Sequence, residues 1–250
     1  MDTAPCMQVT ILQSTRPIFA FLVAVAVLAV AACGGIFAGD EPTATPAPPT
    51  PTSTPAPPPL SIFRNFVVPV PGGCLPQSDA LMPNAPREYR GGTHEGVDFY
   101  SYDNCVDVPL GAPVVAAKDG LVIRADLDYT PLTQQQLDEA NRRIGLGDAD
   151  AFEVVDLFRG RQVWIDHGNG IVTRYAHLAS IAEGVVEGAR VAQGQTIAAV
   201  GDSGTPESLT TPGAEAHLHW EVRTGETYLG AGLPPEEVAA IYQQLFEPWP

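Results

Sequence analysis

The chain has 250 residues, 45% of them hydrophobic and 17% charged, a balance that suits one globular domain with non-globular extensions and leaves little room for two. Its formal net charge of −16 and its single lysine, Lys118, argue against nucleic acid as a partner, because phosphate binding draws on clustered Lys and Arg. Of the 29 acidic residues, 26 fall between 61 and 250, so the acidity belongs to the part expected to fold.

Residues 1–32 read as a signal peptide. Arg16 precedes an unbroken apolar stretch of 15 residues, Ile18 to Ala32, which is shorter than the ~20 residues a helix needs to cross a bilayer. The junction Val30-Ala31-Ala32-Cys33-Gly34 resembles a bacterial lipobox, in which the cysteine is lipidated and becomes the new N-terminus. Cys33 is therefore the expected lipid anchor, and the membrane an expected partner through it. An uncleaved membrane helix and plain secretion are the alternatives.

Residues 33–60 read as the lipidated N-terminus and a linker. Positions 42–60 hold nine Pro and five Thr, a composition that cannot pack a core and favours extended polyproline backbone. At roughly 3.1 Å per residue it is a spacer of up to about 60 Å, directed toward the cell wall. Cys6 leaves with the signal and Cys33 carries lipid, so Cys74 and Cys105 remain, and outside the cytoplasm two leftover thiols imply a disulfide. A thiolate metal site is the poorer reading, since neither has a second Cys or His at ligand spacing.

Residues 61–250 form the expected domain, mainly β, with an antiparallel sheet, one short inserted helix and a C-terminal helix. In chain order, Gly91 to Phe99 reads as a loop entering a strand near Val97, because three glycines in six residues disfavour helix. Pro113 to Ala117 and Leu121 to Ala125 flank Lys118-Asp119-Gly120 and predict a hairpin. Thr133 to Ile144 opens with Thr133 and Gln136 in capping-box spacing and sets Leu137, Ala140 and Ile144 on one helical face. A second hairpin joins Val163 to Asp166 with Ile171 to Tyr175, and a later pair, Arg190 to Val191 and Thr196 to Val200, flanks Gln193-Gly194. After the alternating strand Ala216 to Arg223, Pro235 to Phe246 places Val238, Ile241, Tyr242 and Leu245 at helical intervals.

The chemistry concentrates in histidines, all five of which lie in this domain: His94, His167, His177, His217 and His219. In Ala216 to Val222 the strand period of two sends His217, His219 and Glu221 to one face and Leu218, Trp220 and Val222 to the other. His94 and Asp98 stand four apart, and Asp98, between Val97 and Phe99, is a carboxylate that demands a partner if buried. Two imidazoles and one carboxylate around zinc leave the fourth position for water, the arrangement that separates catalytic from structural sites. Zinc lowers the pKa of such a water, and a nearby imidazole, His177 or His217, can accept the proton.

Together, His94-x-x-x-Asp98, Tyr175-Ala176-His177-Leu178 and His217-Leu218-His219-x-Glu221 resemble the lysostaphin-type zinc endopeptidases, which cleave cross-bridges or stem peptides of bacterial cell walls. The resemblance runs over about residues 90–225. It implies a groove floored by an antiparallel sheet, zinc as cofactor held by His94, Asp98 and His219, His177 and His217 as catalytic histidines, and peptidoglycan peptides as substrate. His167 carries no implied role, and Glu95 and Glu221 are expected to act locally. Two departures stand out, a long segment Leu127 to Gly160 and an extended Ser203 to Glu215. The strong acidity offers no attraction to anionic wall polymers. A non-catalytic wall-binding or regulatory module on the same fold is the alternative, set against the presence of all five matched residues.

Overall fold

The computed structural model describes residues 62–248; the signal-peptide, Cys33-anchor and linker expectations fall outside that range. The described chain forms twelve short strands and three α-helices: β1 (Pro86–Arg87), β2 (Gly92–Thr93), β3 (Val97–Phe99), β4 (Pro113–Val115), β5 (Gly120–Ala125), α1 (Gln134–Gly145), α2 (Phe152–Arg159), β6 (Val163–Asp166), β7 (Ile171–Ala176), β8 (Ser180–Ile181), β9 (Arg190–Val191), β10 (Thr196–Ala199), β11 (Leu218–Thr224), β12 (Thr227–Tyr228) and α3 (Pro235–Leu245).

The main antiparallel sheet runs β12-β11-β7-β6-β5-β9, with β3 and β12 sharing one edge of β11, and a smaller sheet runs β4-β10-β8. Alternation along β11 sends Leu218, Trp220 and Val222 into the core, where they are fully buried with Val97, Phe99, Ile165 and Tyr175 of the same sheet. Val114 and Ile197 of the small sheet belong to the same core. So do Val238, Tyr242 and Leu245 of α3, with the Tyr242 ring edge-on to Trp220 at 6.2 Å between centroids. The Cys74–Cys105 disulfide is present, with the two Cα atoms 5.4 Å apart.

Residues 163–176 form the expected β6–β7 hairpin. Lys118-Asp119-Gly120 does not close one: β4 pairs with β10, whereas β5 pairs with β6 and β9. The chain crosses there from the small sheet to the main one, and at Gln193-Gly194 it crosses back. The two crossings are tied together, Gln193 N–H donating to Asp119 Oδ1 at 2.6 Å and Gly194 N–H to the Ala116 carbonyl at 2.8 Å. Period-two patterning identifies a strand by its buried face but does not choose its partner, so both turns read as hairpins from sequence.

Helix α1 begins as expected, with Thr133 and Gln136 exchanging both bonds of a capping box. The insertion nevertheless holds two helices. Val154 and Phe158 of α2 bury against Ala140 of α1, with Leu137 and Ile144 at the margin, a small core separate from the main one. The residue before α2, Ala151, has no side-chain oxygen to cap it, so the helix lacks the start signal that marks α1.

Candidate active site

Strand register assembles the site. β3 against β11 sets Asp98 opposite His219, and β11 against β7 sets His219 opposite Ala176, so His177 leaves the end of β7 beside the same point. Gly96 lets the segment from His94 to Asp98 lie tight on β11: a Cβ there would stand 2.5 Å from the Trp220 carbonyl oxygen and 3.0 Å from His219 Cε1. His94, Asp98, His217 and His219 are all buried.

Three atoms converge at the centre. Asp98 Oδ1 lies 2.7 Å from His219 Nδ1 and 3.0 Å from His94 Nε2, and those two nitrogens are 3.0 Å apart. The outward side of each group is held. His94 Nδ1–H donates to the Met82 carbonyl at 2.9 Å, His219 Nε2–H to Glu221 Oε1 at 3.1 Å, and Arg87 Nη2 to Asp98 Oδ2 at 2.6 Å. The bond to the Met82 carbonyl leaves the His94 Nε2 lone pair facing inward; His219 lies between two carboxylates, and its neutral form with the proton on Nε2 turns the Nδ1 lone pair toward Asp98 Oδ1. Three lone-pair donors converging in a buried space repel unless a cation or proton lies between them, and the set of two imidazoles and one carboxylate can hold a metal ion.

The titration behaviour follows. Burial pushes the His94 pKa down to about 4. Burial also opposes charge on His219, but hydrogen bonds that the protonated ring donates to the Asp98 and Glu221 carboxylates outweigh it and raise that ring above the ordinary histidine value. Glu221, fully buried, is held well below the carboxylate range because the adjacent Arg159, with His219 and Arg223, overcomes its desolvation.

His177 and His217 flank the triangle, their ring centroids 4.5 Å apart. His177 Nδ1–H donates to the Ser203 carbonyl at 2.8 Å and His217 Nδ1–H to the Glu215 carbonyl at 2.7 Å, leaving each Nε2 as an acceptor. His217 Nε2 is 3.7 Å from Asp98 Oδ1. Packing around the rings, chiefly, lowers the pKa of both, that of His177 well below the usual value. Tyr100 stacks on His217 with 4.2 Å between centroids and donates its hydroxyl to Glu215 Oε2 at 3.1 Å. His167 stands apart, spanning the Asp119 carbonyl at 2.8 Å and Thr173 Oγ1 at 2.7 Å, a structural brace at the β6–β7 turn.

These groups line a groove of about 370 Å³ whose sides include Tyr89, Tyr100, Tyr102, Phe158 and the Thr205–Glu207 segment. Both sequence departures contribute to it, Phe158 and Arg159 from the insertion and residues 204–207 and 215 from the second loop.

Residues 149–230 match the model described as Peptidase family M23. That match contains His177, His217 and His219, while His94 and Asp98 precede it. Among particular relatives, the chain is 30% identical over 128 residues to peptidoglycan DD-endopeptidase ShyC of Vibrio cholerae serotype O1, a stretch covering 51% of this chain and 19% of that protein. It is also 30% identical over 129 residues to ShyA of the same organism, covering 52% of this chain and 20% of that one. The chain thus spans about a fifth of the length of the curated relatives it matches. Among solved structures it is similar to the catalytic domain of the antimicrobial peptidase lysostaphin from Staphylococcus simulans, at 20% identity and a TM-score of 0.38, covering 63% of this chain and 86% of that one.

The five residues singled out from sequence therefore meet in one groove. The groups around them were not foreseen: Arg87 on Asp98, Tyr100 on His217, Ser203 on His177, and the arginines around Glu221. Arg174 faces Glu221 across the β7–β11 pair, a contact visible only once the register is known.

Proposed function

We propose that this domain is a zinc-dependent endopeptidase acting on peptide bonds of peptidoglycan cross-bridges or stem peptides. The observation that carries the reading is the meeting of His94 Nε2, Asp98 Oδ1 and His219 Nδ1 within 3.0 Å, with two acceptor imidazoles beside them in one open groove. His94, Asp98 and His219 are the ligands in this reading, and zinc bound there supplies a Lewis acid for the scissile carbonyl and acidifies a water.

The chain's own groups do the rest. His177 and His217 present Nε2 lone pairs while the Ser203 and Glu215 carbonyls hold their Nδ1–H, so each is oriented to take a proton and, once charged, to return it to the leaving amine. Their lowered pKa values keep them neutral and ready to accept near neutral pH. Tyr100 keeps the His217 ring flat against it and anchors Glu215. The names of the relatives support a peptidoglycan substrate, and the matched segment supports peptidase chemistry.

The proposed location is outside the cytoplasm, tethered through lipid on Cys33. The lipobox-like Val30 to Gly34 supports it, and so does the Cys74–Cys105 disulfide, a bond suited to oxidising compartments. Loss of fatty-acid labelling in Cys33→Ser is expected, and unchanged labelling contradicts the anchor. For the activity, purified protein is incubated with peptidoglycan and, separately, with casein, and released fragments are identified by mass spectrometry. Chelator-sensitive release of wall peptides is expected; cleavage of casein alone contradicts the substrate class, and no cleavage of either contradicts the enzyme.

A further inference from the structure

Behind the triangle of proposed ligands lies a buried ion cluster. Glu221 receives Arg159 Nε at 2.6 Å and Arg223 Nη1 at 2.9 Å, with Arg174 Nη1 at 3.5 Å. Glu95 receives Arg159 Nη2 at 2.5 Å and Arg223 Nη1 at 2.7 Å. Arg174 and Arg223 belong to strands of the main sheet, whereas Arg159 is the last residue of α2, in the inserted helix pair. Its side chain is 7% exposed, and a guanidinium is spent there on two carboxylates at once.

Arg159 touches the site a second time through its backbone. Its carbonyl accepts the His177 N–H at 2.8 Å, at a residue held in the left-handed region with φ of 59°. The next residue, Gly160, has φ of 65° and packs so close to the second loop that a Cβ would stand 2.1 Å from the Ser203 carbonyl oxygen. That same carbonyl accepts the His177 Nδ1–H. One residue of the insertion therefore grips both the carboxylate that orients His219 and the backbone that presents His177.

We infer that Arg159 is a positioning residue through which the inserted helix pair sets the metal affinity of the site and the placement of His177. The inference rests on the reading of His94, Asp98 and His219 as metal ligands. Without Arg159, Glu221 keeps Arg223 and Arg174 but loses its shortest bond, and its grip on His219 Nε2–H loosens. Partners of this outer kind change metal affinity by about 10- to 100-fold.

The test is competition for zinc alone between the full chain and a chromophoric chelator, with peptide hydrolysis at saturating zinc measured in parallel. Arg159→Ala is expected to bind zinc about 10- to 100-fold more weakly, and to lose kcat with KM little changed. Arg159→Lys is expected to fall between it and the wild type, because one ammonium cannot match the two-sided fork. Arg124→Ala, which loosens the same helix by removing the 2.6 Å bond to Asp156, is expected to bind zinc as the wild type does. Wild-type affinity in Arg159→Ala, or an equal loss in Arg124→Ala, overturns the inference. If Arg159→Ala does not fold, Arg159→Lys decides, and wild-type affinity and kcat in it overturn the inference. A wild-type chain that binds no zinc fails the ligand reading itself, before any variant is compared.

Discussion

The β3–β11 pair and the two loop segments around it position functional groups by different means. On β3 and β11, Asp98 and His219 come together through strand register, with His94 shortly before β3 and His217 immediately before β11, and with Gly96 allowing close approach. In residues 127–160 and 203–215 nothing is periodic with respect to the site. His177 is instead held by the Arg159 and Ser203 carbonyls, and Glu221 by arginines from separate elements. The contrast separates what binds from what is tuned: the strand pair carries the proposed ligands, while the loops place His177, the proposed proton acceptor, and supply Arg159 to Glu221.

The largest effect expected from breaking this division is on turnover. His177→Ala and His217→Ala should keep near-stoichiometric zinc and lose about 10² to 10⁴ in kcat, the range for general acid–base groups, as read by metal analysis beside peptide hydrolysis. Zinc lost from His217→Ala and kept by His219→Ala would reverse the assignment within β11.

Next comes the link between the segment before His94 and the one after Asp98. Removing the disulfide with Cys74→Ser and Cys105→Ser opens a loop of sequence separation 31 and should cost about 3 to 4 kcal/mol in denaturant unfolding, by the chain-entropy model.

A smaller effect comes with pH. In the metal-free domain His94, His177 and His217 have folded pKa values below the unfolded one, so the unfolded chain takes up their protons first. Their contribution to stability is complete above a pH of about 6.5 and falls as pH drops below it, by at most about 1.4 kcal/mol per pH unit for each ring. His219, with a raised pKa, works in the opposite direction, so the midpoint of thermal unfolding should fall from about pH 7 to about pH 5 by less than three rings would give. A midpoint that rises over that interval contradicts the buried neutral state of these rings. The smallest effect is at the far end of the insertion, where Thr133→Ala removes the α1 cap and should cost about 1 kcal/mol with zinc affinity unchanged.

Sequence legibility follows the same division. The inward face of β11, the Thr133–Gln136 cap and the apolar stripe of α3 could be read because each depends on spacing within one short segment. The choice of His94, Asp98 and His219 as a set came instead from the resemblance of three motifs to a known family, since spacing alone does not separate His217 from His219. The Cys74–Cys105 bond could be read because no other thiol was left in the domain. Helix α2 was missed although Val154, Val155 and Phe158 have helical spacing, since Ala151 gives no capping signal and the stripe buries only against α1. The partners of β4, β5, β9 and β10 were missed because a turn between two strands looks alike whether it closes a hairpin or crosses between sheets. Glu221 does bond locally, to His219 and Arg223 two residues to either side, but its contact with Arg159, 62 residues away, is announced by no pattern within either segment.

The most direct test of the central claim is zinc content per chain, measured together with hydrolysis of peptidoglycan peptides, for the wild type, His94→Ala, Asp98→Ala and His219→Ala. One zinc per wild-type chain, with both zinc and hydrolysis lost in each variant, is the predicted result. Wild-type zinc content and hydrolysis in any of the three would contradict the assignment of these residues as the metal-binding set.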